Sequence, residues 1–526
     1  MSEATAPKKR GLLMRFIKGV EIVGNKLPHP FWLFVILSGV ILALSWWLGN
    51  AGMSVKYMAA GRGGAEAKET VVSVVNLLTF KSMRVVFTDL LKIYSSFPPL
   101  GLIIVMTLGI GLLEQSGMIS ALMRKTILGA PSYLVTFALA IVGINANLAS
   151  DAGIIFTPMI GAAIFKALGR NPWIGITAGY AASQGGFTAN FFIAGTDALL
   201  AGITESAAKG MNIPGPVHPL MNWYLMVAAT VVVAFVTTFV TEKITCKYLG
   251  DEGGTMDATE LEKHRVTDVE NRGLKWSLYA GLAYILLIVA LTFPEGSFFR
   301  ADNGDILPRS PFLSSIAGIL FFLFFFMGVA YGYGAKVIKA GSDIPKMMEK
   351  GLKGGISFLV VVLPAAIFIH LFNASNLATI LAVDGADWLK SMNLTGSKLI
   401  IAFVLLTTTI NLFISSGSAK WLILAPIFVP MLGMMGFSPA LTQAAYRVGD
   451  SCTNNLAPLS YYVPVMIGFY EQYKQDADQE VGIGTLISLQ LPFSILYLIL
   501  FTALLVFWFT MGWPLGPGAD LHIPMP

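Results

Sequence analysis

The stretch AAYRVGDSCTNNLAPLS, residues 444–460, sets a charge pair and a cluster of hydroxyls and amides between strongly apolar runs. Arg447 and Asp450 stand three residues apart, so on a helix they share a face and can pair with each other. A guanidinium suits bidentate capture of a carboxylate. A carboxylate among Ser451, Thr453 and Asn454 suits a hard cation such as sodium, and alone it can carry a proton. A second polar stretch, NLFISSGSAKW, supplies Asn411, Ser415, Ser416 and Ser418, then Lys420 and Trp421. Lys420 can snorkel to a surface or serve the site; Trp421 can pack in the core or against a ring. INANLASDAG adds Asn145, Asn147, Ser150 and Asp151, and SQGGFTAN adds Ser183, Gln184, Thr188 and Asn190.

These groups sit in an apolar chain. Its 526 residues are 55% hydrophobic and 12% charged, with a mean hydropathy of +0.70; soluble domains carry roughly twice that charge fraction. Nine runs are long enough to span a bilayer: 31–48, 99–117, 172–189, 221–241, 276–293, 311–331, 355–380, 440–456 and 485–510. Residues 131–166 and 399–436 differ. Each has two apolar arms of about a dozen residues around a polar centre, and an arm of ~20 Å is too short for a ~30 Å hydrocarbon core. Both predict re-entrant hairpins, which are tolerated where the tip is buried in protein or lines a wet cavity. The expected fold is an all-α polytopic membrane protein, with nine transmembrane helices plus two re-entrant hairpins in an inverted repeat.

The segments then divide as a cytoplasmic start 1–30, first scaffold helices 31–130, and a first hairpin with its broken helix 131–220. Scaffold helices 221–354 follow, with a basic loop 243–275. The second hairpin and broken helix occupy 355–460, and the last helix and outer tail 461–526. With the N-terminus inside, 22 of the 35 Lys and Arg residues fall on inner segments and 11 on outer ones, as the positive-inside rule asks. Lys420 and Arg447 fall within the membrane, and the C-terminus falls outside. No cleavable signal is apparent at the basic start. The net charge of +5 needs no nucleic acid as partner, and Cys246 and Cys452 make no disulfide framework.

Residues 145–190 and 413–455 align. Ser150 to Pro158 is spaced like Ser418 to Pro426; Pro172 matches Pro439; eleven residues further come Ser183 and Asp450. SQGGFTAN then faces DSCTNN, a polar break within each following span. The first unit starts on the inner face and the second on the outer. Inverted repeats with paired broken helices point to a secondary transporter with its site near the midplane. Enzyme classes lack support: there is no H-E-x-x-H, G-x-S-x-G or phosphate-binding P-loop, and an intramembrane aspartyl protease would need glycine at 447. A channel remains an alternative reading of a broken-helix core.

SSGSAKWLILAPIFVPML followed by AYRVGDSCTNNLAPLSYY resembles the aminobenzoyl-glutamate transporter (AbgT) family, as do NLASDAG and FTANFFIAGTDALLAGITE. The resemblance covers nearly the whole chain. It implies a bacterial inner-membrane homodimer, each subunit with a scaffold and a transport core. Such proteins either import p-aminobenzoyl-glutamate or export p-aminobenzoate and sulfonamide drugs. The family's functional residues carry over to Asp197, Ser418, Trp421, Pro439, Arg447, Asp450 and Pro458, with Asn411 and Asp450 as candidate sodium ligands. Asp197 falls in AGTDALLAG, which the span layout places at an outer loop. The expectation is an ion-coupled exporter of aromatic carboxylates and sulfonamides, driven by sodium or protons, with no other cofactor.

Overall fold

The computed structural model describes residues 28–59, 68–251, 265–307, 310–353, 356–414, 416–458, 460, 462–474 and 481–523. Its principal elements are helices, so the all-α class holds. In chain order these are α1 (Pro30–Asn50), α2 (Pro98–Gln115), α3 (Met118–Leu128), α4 (Val135–Ile144), α5 (Ser150–Ala167), α6 (Pro172–Gly185) and α7 (Gly195–Gly210). Next come α8 (Trp223–Val240), α9 (Asp268–Ala290), α10 (Ile316–Gly334), α11 (Ile356–Ala374) and α12 (Leu377–Ser391). The last five are α13 (Gly396–Asn411), α14 (Gly417–Gly433), α15 (Pro439–Cys452), α16 (Val463–Gln472) and α17 (Ile483–Met511). A β-hairpin, β1 (Ser54–Ala59) and β2 (Lys68–Ser73), pairs antiparallel within the 49–98 segment.

Five helices among the described residues are long and apolar enough to cross a bilayer: α1, α8 with its extension to Leu249, α9, α10 and α17. Two bent pairs raise the number to seven. The pair α2–α3 bends by 58° and α11–α12 by 70°. Each breaks at a left-handed residue, Gly117 (φ 85°) and Asn376 (φ 62°), a conformation that ends a helix. Asn376 is also tied by its Nδ2 to the Ser73 carbonyl at 2.9 Å. The other two expected spans, 172–189 and 440–456, fold as the short helices α6 and α15, of 14 residues each.

Each half of the chain therefore repeats one order: a bent pair, two short apolar helices, and a 14-residue helix with proline at its first position. The caps match too. Asn171 accepts from Trp173 N–H ahead of Pro172, and Ser438 accepts from Leu441 N–H ahead of Pro439. In the first half α5 lies against α6 with Gly161 facing Gly175; a Cβ on either glycine would strike the other's backbone.

The helix α8 acts as a ruler for this arrangement. With a π turn at Thr241–Thr245 it runs from Trp223 to Leu249, 27 residues or roughly 40 Å. At its start Asn222 Nδ2 donates to the Ala440 carbonyl at 2.8 Å, so α15 begins there. At its end the Leu249 and Gly250 carbonyls accept from Asn171 Nδ2, so α6 begins there. The two 14-residue helices enter from opposite ends, each spanning roughly 21 Å, and their C-termini meet in the middle. Every residue of α6 and of α15 is buried. Helix α9 does the opposite: it exposes Leu282, Ile285 and Leu286, as a helix that faces lipid should.

Candidate functional site

The meeting point is made of polar contacts between the two breaks. Thr188, just past α6, donates from Oγ1 to the Arg447 carbonyl at 3.0 Å and bonds to the Ser451 hydroxyl. Asn454 Nδ2 reaches the Gln184 carbonyl at 3.5 Å. Helix ends leave backbone groups without intrahelical partners, and these side chains satisfy some of them.

Arg447 and Asp450 do not pair with each other. Arg447 Nη2 lies 2.5 Å from Asp197 Oδ1 and donates to the Thr188 carbonyl at 2.8 Å. Asp197 is 4% exposed, in the first turn of α7 rather than in an outer loop. Its Oδ2 accepts from Ala194 N–H at 2.7 Å and from Asn190 Nδ2 at 3.1 Å. Asn190 Oδ1 in turn accepts from Asn147 Nδ2 at 2.5 Å. Sharing a helix face allowed the pair Arg447–Asp450, but a buried charge is better served by a partner that is itself hydrogen-bonded in place. Asp197, 250 positions away, meets that condition.

Asp450 takes Lys420 instead. The Lys420 ammonium is fully buried, does not snorkel, and lies 2.5 Å from Asp450 Oδ1. It also donates to Asn411 Oδ1, with the Ile414 carbonyl at 3.4 Å. The oxygens that sequence offered to sodium are thus engaged by an ammonium carried on the chain. Asn411 completes its amide by donating to the Asp450 carbonyl at 2.5 Å, Asn454 Oδ1 at 2.9 Å and Thr453 Oγ1 at 3.0 Å. Tyr446 donates to the Gly417 carbonyl at 2.5 Å, and its hydroxyl is 3.3 Å from Asp450 Oδ1. A Cβ on Gly417 would sit 3.1 Å from Asp450 Oδ2, a tight contact that the carboxylate would have to yield to.

Trp421 is fully buried, stacked on Tyr446 with centroids 4.3 Å apart. Its Nε1 donates to Thr204 Oγ1 at 2.9 Å, Thr204 donates to Gln443 Oε1 at 2.6 Å, and Gln443 Nε2 reaches Asn222 Oδ1 at 3.1 Å. Sequence reasoning missed Thr204, Gln443, Asn222 and Tyr446. A signal for one existed: Gln443, Arg447 and Asp450 form a polar stripe at i, i+4, i+7 on one helix face.

A cavity of about 400 Å³ opens where the halves meet, within the roughly 300–1,000 Å³ of small-molecule sites. Gln184, Thr188 and Thr196 line it from the first half, and Ser418, Asp450 and Asn454 from the second. Leu199, Leu200 and Phe187 add apolar wall. Ser416 also lines it, as the N-cap of α14. Arg447, Asp197 and Trp421 stand behind this wall. Pro439 lies at the far end of α15, near Gly215, and Pro458 in the turn after the second break; neither lines the cavity. Asn145 ties the first tip, accepting from Phe191 N–H at 2.9 Å. Ser150 starts α5, but its side chain and that of Asp151 lie outside the described residues, as does Ser415.

The profile described as the "AbgT putative transporter family" matches residues 15–523. The p-aminobenzoyl-glutamate transport protein of Escherichia coli (strain K12) is 36% identical over 499 residues, 95% of each chain. Among solved structures, Neisseria gonorrhoeae MtrF, described as illuminating a class of antimetabolite efflux pumps, superposes with a TM-score of 0.89 at 37% identity. It covers 97% of this chain and all of its own. The Alcanivorax borkumensis YdaH transporter, described as having an unusual topology, gives 0.83 at 32% identity, over 93% of this chain and all of its own. The chain therefore belongs to the AbgT transporter family and is a multi-pass membrane transporter, not an enzyme.

Proposed function

We propose that the protein is an ion-coupled secondary transporter that exports p-aminobenzoate and sulfonamide antimetabolites across a bacterial inner membrane, as a homodimer with its N-terminus in the cytoplasm. The carrying observation is the cavity at the junction of the two broken helices. Its wall combines apolar side chains with hydroxyls, two carboxamides and the Lys420-paired Asp450, and both buried cations among the described residues, Arg447 and Lys420, are already paired. A small aromatic monocarboxylate asks little of such a wall, and a sulfonamide of similar shape asks less. A conjugate that carries two carboxylates would call for free cations. The likeness to an antimetabolite efflux pump supports the same direction. Sodium or a proton serves as coupling ion, with Asp450 and Asn411 as its point of action.

A second reading, import of p-aminobenzoyl-glutamate, is favoured by the Escherichia coli relative, since helix N-termini also hold carboxylates. Radiolabelled flux in proteoliposomes, with sodium and pH gradients imposed separately, tests coupling and cargo. Expression in a drug-sensitive host tests direction: export raises sulfonamide tolerance and lowers intracellular p-aminobenzoate. Unchanged tolerance with rising uptake of the conjugate overturns export and leaves import standing.

A further inference from the structure

The cavity wall carries two polar groups without a partner among the described residues, and each can donate. Gln184, in the last turn of α6, is 5% exposed, and its Nε2 has no acceptor among the described residues. Thr196, in the first turn of α7, also lines the cavity, and its hydroxyl is out of water and without a partner among the described residues. Across the cavity α14 begins with Gly417 and Ser418. The first N–H groups of a helix have no intrahelical acceptor, and the positive end of this 17-residue helix faces the same space. The carboxylate on this wall, Asp450, is matched by Lys420 at 2.5 Å, so an entering anion meets no net negative charge there.

Buried donors are nearly always paired, and one left without an acceptor calls for an explanation. The Gln184 amide nitrogen only donates and the Thr196 hydroxyl can donate beside it, which suits a ligand end rich in acceptors, such as a carboxylate or the sulfonyl group of a sulfonamide. We propose that Gln184 and Thr196 anchor that acceptor end of the aromatic cargo, with the N-terminus of α14 completing the anion subsite. Leu199 and Leu200 lie one turn beyond Thr196 on α7, about 5.4 Å further along, where they meet the ring. This assignment rests on the reading that the cargo is an aromatic carboxylate or sulfonamide, and adds which residues hold its charged end.

The test compares p-aminobenzoate with p-toluidine, which keeps ring and amine but replaces the carboxylate by a methyl group, on the purified full-length protein by calorimetric titration. The wild type should prefer p-aminobenzoate by at least about tenfold. Gln184→Met keeps the side-chain shape; it should lose about tenfold for p-aminobenzoate and stay within about twofold for p-toluidine. Thr196→Val should lose about threefold with the same selectivity. Because Gln184 Nε2 has no acceptor among the described residues, Gln184→Met should unfold at no lower temperature than wild type. Unchanged affinity, an equal loss for both ligands, or a loss that accompanies a lower unfolding temperature overturns the anchor. Should Gln184→Met fail to fold, its role is structural and Thr196→Val decides for the subsite. A wild type that binds neither ligand overturns the cargo reading and the anchor with it. Wild-type binding with unselective variants overturns the anchor alone.

Discussion

Two buried ion pairs sit a few residues apart on α15 and differ in what they join. Arg447 crosses from α15 to Asp197 on α7, so it ties the second half to the first. Lys420 and Asp450 join α14 to α15 and stay within the second half. The first pair stands behind the cavity wall, while the second places Asp450 on it. Arg447 also holds a backbone carbonyl, at Thr188, where the first break passes. One pair is suited to hold the junction together, and the other to exchange its partner with something entering the cavity.

The largest effect should come from Arg447→Met. It leaves Asp197 buried and uncompensated, a loss of about 3–5 kcal/mol for a broken buried pair, measured by unfolding of the purified protein. Adding Asp197→Asn should recover most of that loss; adding Asp450→Asn should not. Recovery with Asp450→Asn would mean that the junction pairs within α15 after all.

Lys420→Met should cost less, about 2 kcal/mol, because a carboxylate on a cavity wall can be hydrated. It also frees the oxygens of Asn411 and Asp450. Unfolding of this variant should therefore be raised by sodium chloride over choline chloride at equal ionic strength, more than in the wild type. Equal responses would show that Lys420 does not stand in a cation's place.

The N-terminal end of α15 supplies a contrast free of charge pairs. There Ser438 N–H donates to the Leu521 carbonyl in the C-terminal tail. His218, in the loop ahead of α8, donates from Nε2 to the Pro517 carbonyl at 3.0 Å. Burial pushes the imidazole down to about 4, only partly offset by that bond. The unfolded chain then binds its proton first as pH falls. The tail contact contributes in full above pH ~6.5, loses stability as pH falls toward ~4, and is level below that. His218→Asn should flatten this dependence of unfolding temperature on pH; an unaltered profile would place the titrating group elsewhere.

The smallest effect should come from Trp421→Phe. It removes the bond to Thr204, about 1 kcal/mol, and keeps a ring on Tyr446. Ligand affinity should hold within about twofold, since the indole stands behind the wall. A large loss of affinity would mean that the ring reaches the cavity in another state of the cycle.

Local pattern alone determined a good deal of this protein. Long apolar runs imply a bilayer because charge is costly there, and the apolar arms around NANLASD and ISSGSAK, too short at ~20 Å to cross ~30 Å, do fold as short apolar helices. The polar breaks after Pro172 and Pro439 were equally legible, and they are where α6 and α15 stop. What sequence could not show is who neutralises whom. The i, i+3 spacing of Arg447 and Asp450 is a local fact; the choice of Asp197 and Lys420 is made across 250 and 30 positions by packing. Hydropathy likewise does not register a backbone angle, so the bends at Gly117 and Asn376 were hidden in what read as plain spans. Trp421 was legible as an aromatic beside the polar stretch ISSGSAK, but only the stacked Tyr446 and the bonded Thr204 decide that it faces protein. Gln184 shows the same division: its polarity is written in the chain, while the missing acceptor that makes it a candidate anchor exists only once both halves have closed around it.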